Sequence, residues 1–196
     1  MAMTNTLLLV ADFINDIVHP DGAFGKYNAQ RVIDDNTLEN TNKVIAFARD
    51  SKHLIAHVRV GFDSEYTNCP KNSPMFSKSP EKDILKIGTW GLEFHESIDV
   101  KPHDRIITKH RVSALYGTNL EPLMRANNIQ NILMCGVSTT YVVESTAREL
   151  HDRDYNVTVV SDACNAASKQ QHDSSINALA RFCDIKTTDE LVQKLN

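Results

Sequence analysis

No stretch of this 196-residue chain is apolar for long enough to cross a bilayer. The longest runs, Thr6 to Ala11 and Asn131 to Val137, fall far short of the roughly 20 residues a spanning helix needs. Charge of one sign is also scarce: 21 Lys and Arg stand against 25 Asp and Glu, for a net charge of −4. With no basic stripe to grip a phosphate backbone, a nucleic-acid partner is not expected. The segment Met1 to Asn5 has no basic residue and the apolar stretch behind it ends in Asp12, so no secretory signal is expected either. Cys69, Cys135, Cys164 and Cys183 are far apart and form no C-x-x-C pair. That pattern fits free thiols in a reducing cytoplasm better than a disulfide or zinc framework. Neither H-x-H nor H-E-x-x-H occurs, and His53 and His57 have no third ligand at zinc-like spacing, so no metal and no cofactor are expected.

What is present is an alternation. Short apolar runs at 7–13, 54–60, 105–108, 132–137, 157–160 and 183–186 are separated by segments of helical period at 38–49, 120–127, 142–150, 176–182 and 191–195. Nearly continuous apolar strands between helices predict a parallel sheet covered on both faces, a three-layer doubly wound α/β fold. The length suits one core, hence a single domain over 1–196. Gly61 to Ile98 breaks the rhythm with Pro70, Pro74, Pro80, Gly88, Gly91 and the only tryptophan, Trp90. A connection that long inside a compact domain reads as a lid or binding loop.

In an open parallel sheet the ligand crevice lies beyond the carboxyl ends of the strands. There the first strand runs into Asp12, followed by Asn15 and Asp16, and the third ends on Lys109. A carboxylate where an apolar strand stops is partly desolvated, which raises its pKa unless a cation answers it. The fourth strand passes through Cys135, a small buried hydrophobe on this reading, into Gly136, Val137, Ser138, Thr139 and Thr140. That turn opens a helix and is a natural place for an anion or a developing oxyanion, with Val137, Ser138 and Thr139 as its lining. Arg59, ending the second strand, suits either an acid at the rim or a substrate carboxylate. Trp90 suits either a packing anchor for the long loop or a substrate platform.

Three blocks resemble the isochorismatase-like, or cysteine hydrolase, superfamily. Leu9 to Asp16 is similar to its opening D-x-Q-N-D strand, with Ile14 in place of Gln. Lys109 to Leu120 is similar to K-x-x-x-S-A-F-x-x-T-x-L, and Gly136 to Arg148 to G-V-x-T-x-x-C-V-x-x-T-A, with Asp162-Ala163-Cys164 following. The resemblance implies a catalytic Asp at Asp12, a catalytic Lys at Lys109, a small-molecule substrate and a homo-oligomer. It places the family's nucleophilic cysteine at Val142, which has no lone pair and cannot form a covalent intermediate. The chain in this respect is similar to the bacterial branch without the cysteine, in which the Asp is a general acid on a vinyl ether and water completes the hydrolysis. The metal cluster of the nicotinamidases has no match in Val58 to Asp63.

Three readings follow: a hydrolase that works without a thiol on a vinyl-ether or C–N bond, an inactive member that binds a small molecule or partner, or a cysteine amidase whose nucleophile has been replaced. Ser138, Thr139 and Thr140 have no histidine beside them in sequence to act as a base, so a hydroxyl nucleophile is not expected.

Overall fold

The computed structural model describes residues 5–193. The N-terminal segment from Met1 and the end of the last expected helix, at Leu195, lie outside the described residues. Six strands form one parallel sheet: β1 (Thr6–Ala11), β2 (Leu54–Val60), β3 (Arg105–Lys109), β4 (Asn131–Val137), β5 (Asn156–Asn165) and β6 (Asp184–Lys186), in the order β3-β2-β1-β4-β5-β6. The expected doubly wound architecture is therefore present. From β1 the chain winds one way through β2 and β3, then returns past β1 and winds the other way through β4, β5 and β6. Right-handed crossovers place the intervening helices on opposite faces for the two directions. The first direction uses α1 (Asn15–Val18), α2 (Gly25–Asp34) and α3 (Thr37–Asp50). The second uses α5 (Leu120–Ala126), α6 (Glu144–His151) and α7 (Lys169–Leu179), and α8 (Thr188–Val192) packs on α3.

β1 is central, and all six of its residues are buried. A strand covered on both faces has no polar face to alternate with, which explains the unbroken run Leu7-Leu8-Leu9-Val10-Ala11. β5 is longer than the apolar run at 157–160 suggested. Its register on β4 shifts between Met134 and Gly136, so that Cys164 pairs beside Gly136 rather than lying beyond the strand. Gly136 is required there: a Cβ would stand 2.8 Å from the Ala11 carbonyl oxygen, where β1 and β4 converge.

The segment 61–98 is folded rather than loose. It contains the short helix α4 (Ser79–Lys82), and its Phe62, Tyr66, Cys69, Phe76, Leu85 and Leu92 form a second apolar cluster with Ile14, after β1, and Val60, at the end of β2. Burial pushes the Tyr66 phenol up to about 12, and the phenol donates to the Ile84 carbonyl. Asn15 and Asp16 anchor the segment to the sheet. Asn15 Nδ2 donates to the Trp90 carbonyl at 2.9 Å, and Asp16 Oδ2 accepts the Leu85 N–H at 2.7 Å. Gly91 lets the two parts close, since a Cβ would sit 2.5 Å from the Asp16 carboxyl carbon. Gly91→Ala is expected to cost about 1–3 kcal/mol in a urea titration, the usual penalty of overpacking.

A buried ionic network joins α3 to the sheet below β2 and β3. Arg49 Nη1 and Nη2 donate to both carboxyl oxygens of Asp104, at 2.8 and 2.7 Å, and His57 Nε2 lies 3.1 Å from Asp104 Oδ2. The Lys101 backbone N–H adds a fourth contact. Burial pushes the Asp104 carboxyl up, but these donors outweigh it and hold it at about 2.

Candidate active site

The carboxyl ends of β1, β2, β3 and β4 open onto a cavity of about 550 Å³. Asp12 follows β1 with φ +61°, a left-handed conformation that Asp tolerates better than most side chains. Its N–H still bonds the Val58 carbonyl at 2.8 Å, so the chain leaves the sheet only after this residue. Lys109 is two strands away. The register places it beside Val60, past the point where Ala11 pairs with Val58, and its long stem crosses the end of β2 to reach Asp12. Lys109 Nζ lies 2.8 Å from Asp12 Oδ2 and donates also to the Arg111 carbonyl at 3.2 Å. Both residues are almost wholly buried.

The two groups pull the carboxyl in opposite directions. Burial pushes the Asp12 pKa up; the Lys109 charge and hydrogen bond, with help from the Val60 backbone, pull it down without cancelling the rise. Asp12 Oδ1 is buried without a hydrogen-bond partner, although its residue lines the cavity. An orphaned carboxyl oxygen is costly in a finished core and is useful where a ligand supplies the missing partner.

On the facing wall, the chain leaves β4 through a cis peptide at Val137–Ser138 and enters a π-helical turn over Thr139–Val143, which continues as α6. The helix expected from Val142 thus begins three residues earlier, in a wider turn of the kind that collects at functional sites. Val137, Ser138, Tyr141 and Val142 line the cavity together with Asp12 and Lys109. Thr139 does not: it is fully buried, and its Oγ1 lies 2.8 Å from His172 Nδ1 on α7. The expectation that no histidine stands beside these hydroxyls is therefore corrected. His172 is 33 residues away in sequence, and only the packing of α7 against the turn brings it there. Its partner hydroxyl has no access to the cavity.

The remaining wall comes from Ile17, Val60 and Val112, from Pro74, Met75, Phe76 and Leu85 of the long segment, and from two places without a sequence signal: Phe24, Tyr27 and Asn28 around the start of α2, and Ala167 and Gln171 at the start of α7. The long segment is thus a wall of the cavity. Arg59 and Trp90 are not part of this wall. Arg59 Nε donates to Thr108 Oγ1 at 3.1 Å and its guanidinium lies over Phe94, while the Trp90 ring meets His19 edge-on at 5.0 Å. All four cysteines lie elsewhere. Burial raises each thiol, Cys164 to about 12, Cys183 to about 11, Cys135 well up and Cys69 by less. Among the described residues no group of His, Cys, Asp and Glu is arranged to hold a metal ion, and no helix is long and apolar enough to cross a membrane.

Comparison with known proteins agrees with this architecture. The Isochorismatase domain family matches residues 6–190. An isochorismatase family protein of Escherichia coli, YecD, is 33% identical over 162 residues, covering 82% of this chain and 84% of its own. A ureidoacrylate amidohydrolase, RutB, of Acinetobacter baylyi is 27% identical, covering 93% of this chain and 80% of its own. Among solved structures, an isochorismatase family protein from Desulfovibrio vulgaris superposes with a TM-score of 0.86 at 23% identity, over 97% of this chain and 98% of that one.

Proposed function

The chain belongs to the isochorismatase-like hydrolase superfamily, and from that premise we propose that it hydrolyses a small molecule without a thiol nucleophile. The observation that carries this reading is the buried Asp12–Lys109 pair facing a cavity wall that has a valine at the thiol's place, with every cysteine elsewhere. Asp12, its pKa raised by burial, is the proton donor. Lys109 fixes its position and balances the charge left behind once the proton is gone. On a vinyl ether, protonation of the alkene carbon creates an oxocarbenium ion that water attacks, and the adduct collapses to a carbonyl compound and an alcohol. On a C–N bond the same carboxyl protonates the leaving nitrogen while water attacks the carbon. Ser138 supplies the only cavity-lining hydroxyl of the 138–140 turn.

The test is turnover of a panel of vinyl ethers, amides and ureides by purified protein, with intact-mass spectrometry during the reaction. Hydrolysis without any acyl or imidate adduct is expected. An adduct on a cysteine or on Ser138 would restore covalent catalysis, and a panel left untouched would favour an inactive, ligand-binding protein.

Val142→Cys gives an independent check on the geometry. A thiol there sits near the Lys109 ammonium at the start of a helix, both of which favour the thiolate. Iodoacetamide is expected to label Cys at this position faster than any of the four parental thiols, read by mass spectrometry. Labelling at the parental rate would mean that the side chain at 142 does not share the Asp12 crevice.

A further inference from the structure

The cavity that should admit the substrate contains one acid and one base, and they are paired with each other. Every other lining side chain is uncharged: Asn28, Ser138 and Gln171 are neutral, and the rest of the wall is aliphatic, aromatic, proline or alanine. None of the cations next to the wall in sequence lines the cavity. Lys26 lies 4.8 Å from the centroid of the Tyr27 ring, Lys86 pairs with Asp83 at 2.8 Å, and Arg111 donates to the Asn68 and His110 carbonyls. Arg59, the residue that could have clamped a carboxylate, bonds Thr108 and the Leu92 carbonyl outside the cavity. We infer that the site takes an uncharged substrate with an apolar body larger than a single ring, and rejects molecules carrying a carboxylate or phosphate.

The physical ground is desolvation. An anion entering this space leaves water, finds no cation among the described lining residues except the paired Lys109, and faces Asp12 Oδ1, which has no partner of its own. Burial of an uncompensated charge is among the largest penalties in recognition. A neutral molecule meets none of these costs. It gains from Phe24, Tyr27, Met75, Phe76 and Tyr141, and an N–H or O–H on it can complete Asp12 Oδ1. A volume of about 550 Å³ is in the range of sites that hold drug-sized ligands.

The inference rests on the proposed function only in taking this cavity as the place where substrate binds, and binding is measured without turnover. The probes are 2-naphthamide and 2-naphthoate, alike in shape and different in charge, titrated by ligand-observed NMR at neutral pH. 2-Naphthoate is expected to bind at least about 10²-fold more weakly than the amide, which corresponds to an unpaired buried charge of modest cost. Val142→Phe, which fills the crevice, should abolish amide binding. Met75→Lys acts at a half-exposed rim position and supplies the missing cation without touching the core. It should raise naphthoate affinity relative to that of the amide by about fivefold, the upper range of an exposed ion pair. Parental binding of naphthoate within about threefold of the amide, amide binding unaffected by Val142→Phe, or no binding of either probe would each overturn the inference. If the probes behave as expected and the hydrolysis panel is inert, the hydrolytic reading fails and the charge preference stands. Turnover of a carboxylate-bearing substrate has the opposite meaning.

Discussion

Asp12→Asn is expected to lower kcat/KM by at least about 10²-fold on any substrate the protein hydrolyses, the usual scale of general acid–base assistance. The amide keeps the shape of the carboxyl but has no transferable acid proton. The pH profile separates this role from simple disruption. Burial raises the Asp12 pKa, and the protonated form is the working acid, so kcat/KM of the parent should be full at low pH and fall as pH rises through that raised value. In Asp12→Asn the falling limb should vanish together with most of the rate. Because the substitution leaves the buried Lys109 ammonium without its 2.8 Å partner, the variant is also expected to unfold more easily, and rates must be compared on folded protein monitored by circular dichroism. A variant that keeps both its rate and its pH limb would remove Asp12 from the chemistry.

Asp104→Asn should have the largest effect on stability. Its side chain is 2% exposed, that of His57 is fully buried and that of Arg49 is 20% exposed. Removing the carboxylate leaves the buried His57 without its partner and Arg49 with only Asp99 to answer its charge; breaking a buried ionic group in this way costs about 3–5 kcal/mol. For a chain of this size that corresponds to a fall of roughly 6–20 °C in Tm. The acid dependence has a definite sign. A carboxyl held at about 2 instead of its ordinary 3.8 contributes stability that is complete above 3.8 and is lost as pH falls through about 2. The parent should therefore lose stability between those limits by a component that Asp104→Asn lacks. Equal acid sensitivity in the two proteins would show that the network is not ionised as drawn.

The sheet was readable from the sequence because a parallel strand buried on both faces is apolar along most of its length, as β1 is from Leu7 to Ala11 and β4 from Ile132 to Val137. Asp12 was readable for a related reason, as the first residue to break such a run, and Lys109 as the cation that closes the short strand Arg105 to Thr108. Helix α2 left little trace. Its buried residues are Gly25, Ala29 and Val32, too small to mark an apolar stripe among Lys26, Asn28, Gln30 and Arg31, and no side chain caps its start. Yet it carries Asn28, and Tyr27, onto the cavity wall. The contact of Thr139 with His172 was equally hidden, since it depends on where α7 packs and not on any spacing. Arg59 and Trp90 drew notice as a cation and a large ring beside a long loop. A strand end has two sides, however, and proximity in sequence does not say which one a long side chain takes.

The segment 61–98 packs most of a second apolar cluster, which Ile14 and Val60 join to the ends of β1 and β2 and which Asn15 and Asp16 help to anchor. Asp12 and Lys109 come from the ends of β1 and β3, while Pro74, Met75, Phe76 and Leu85 of the cavity wall come from this segment. On the proposed reading, the reacting pair and much of the substrate wall therefore belong to different parts of the chain. Exchange of this segment for one of different composition, with Asn15, Asp16 and Gly91 kept as the seam, is a route to new specificities on an unchanged catalytic frame.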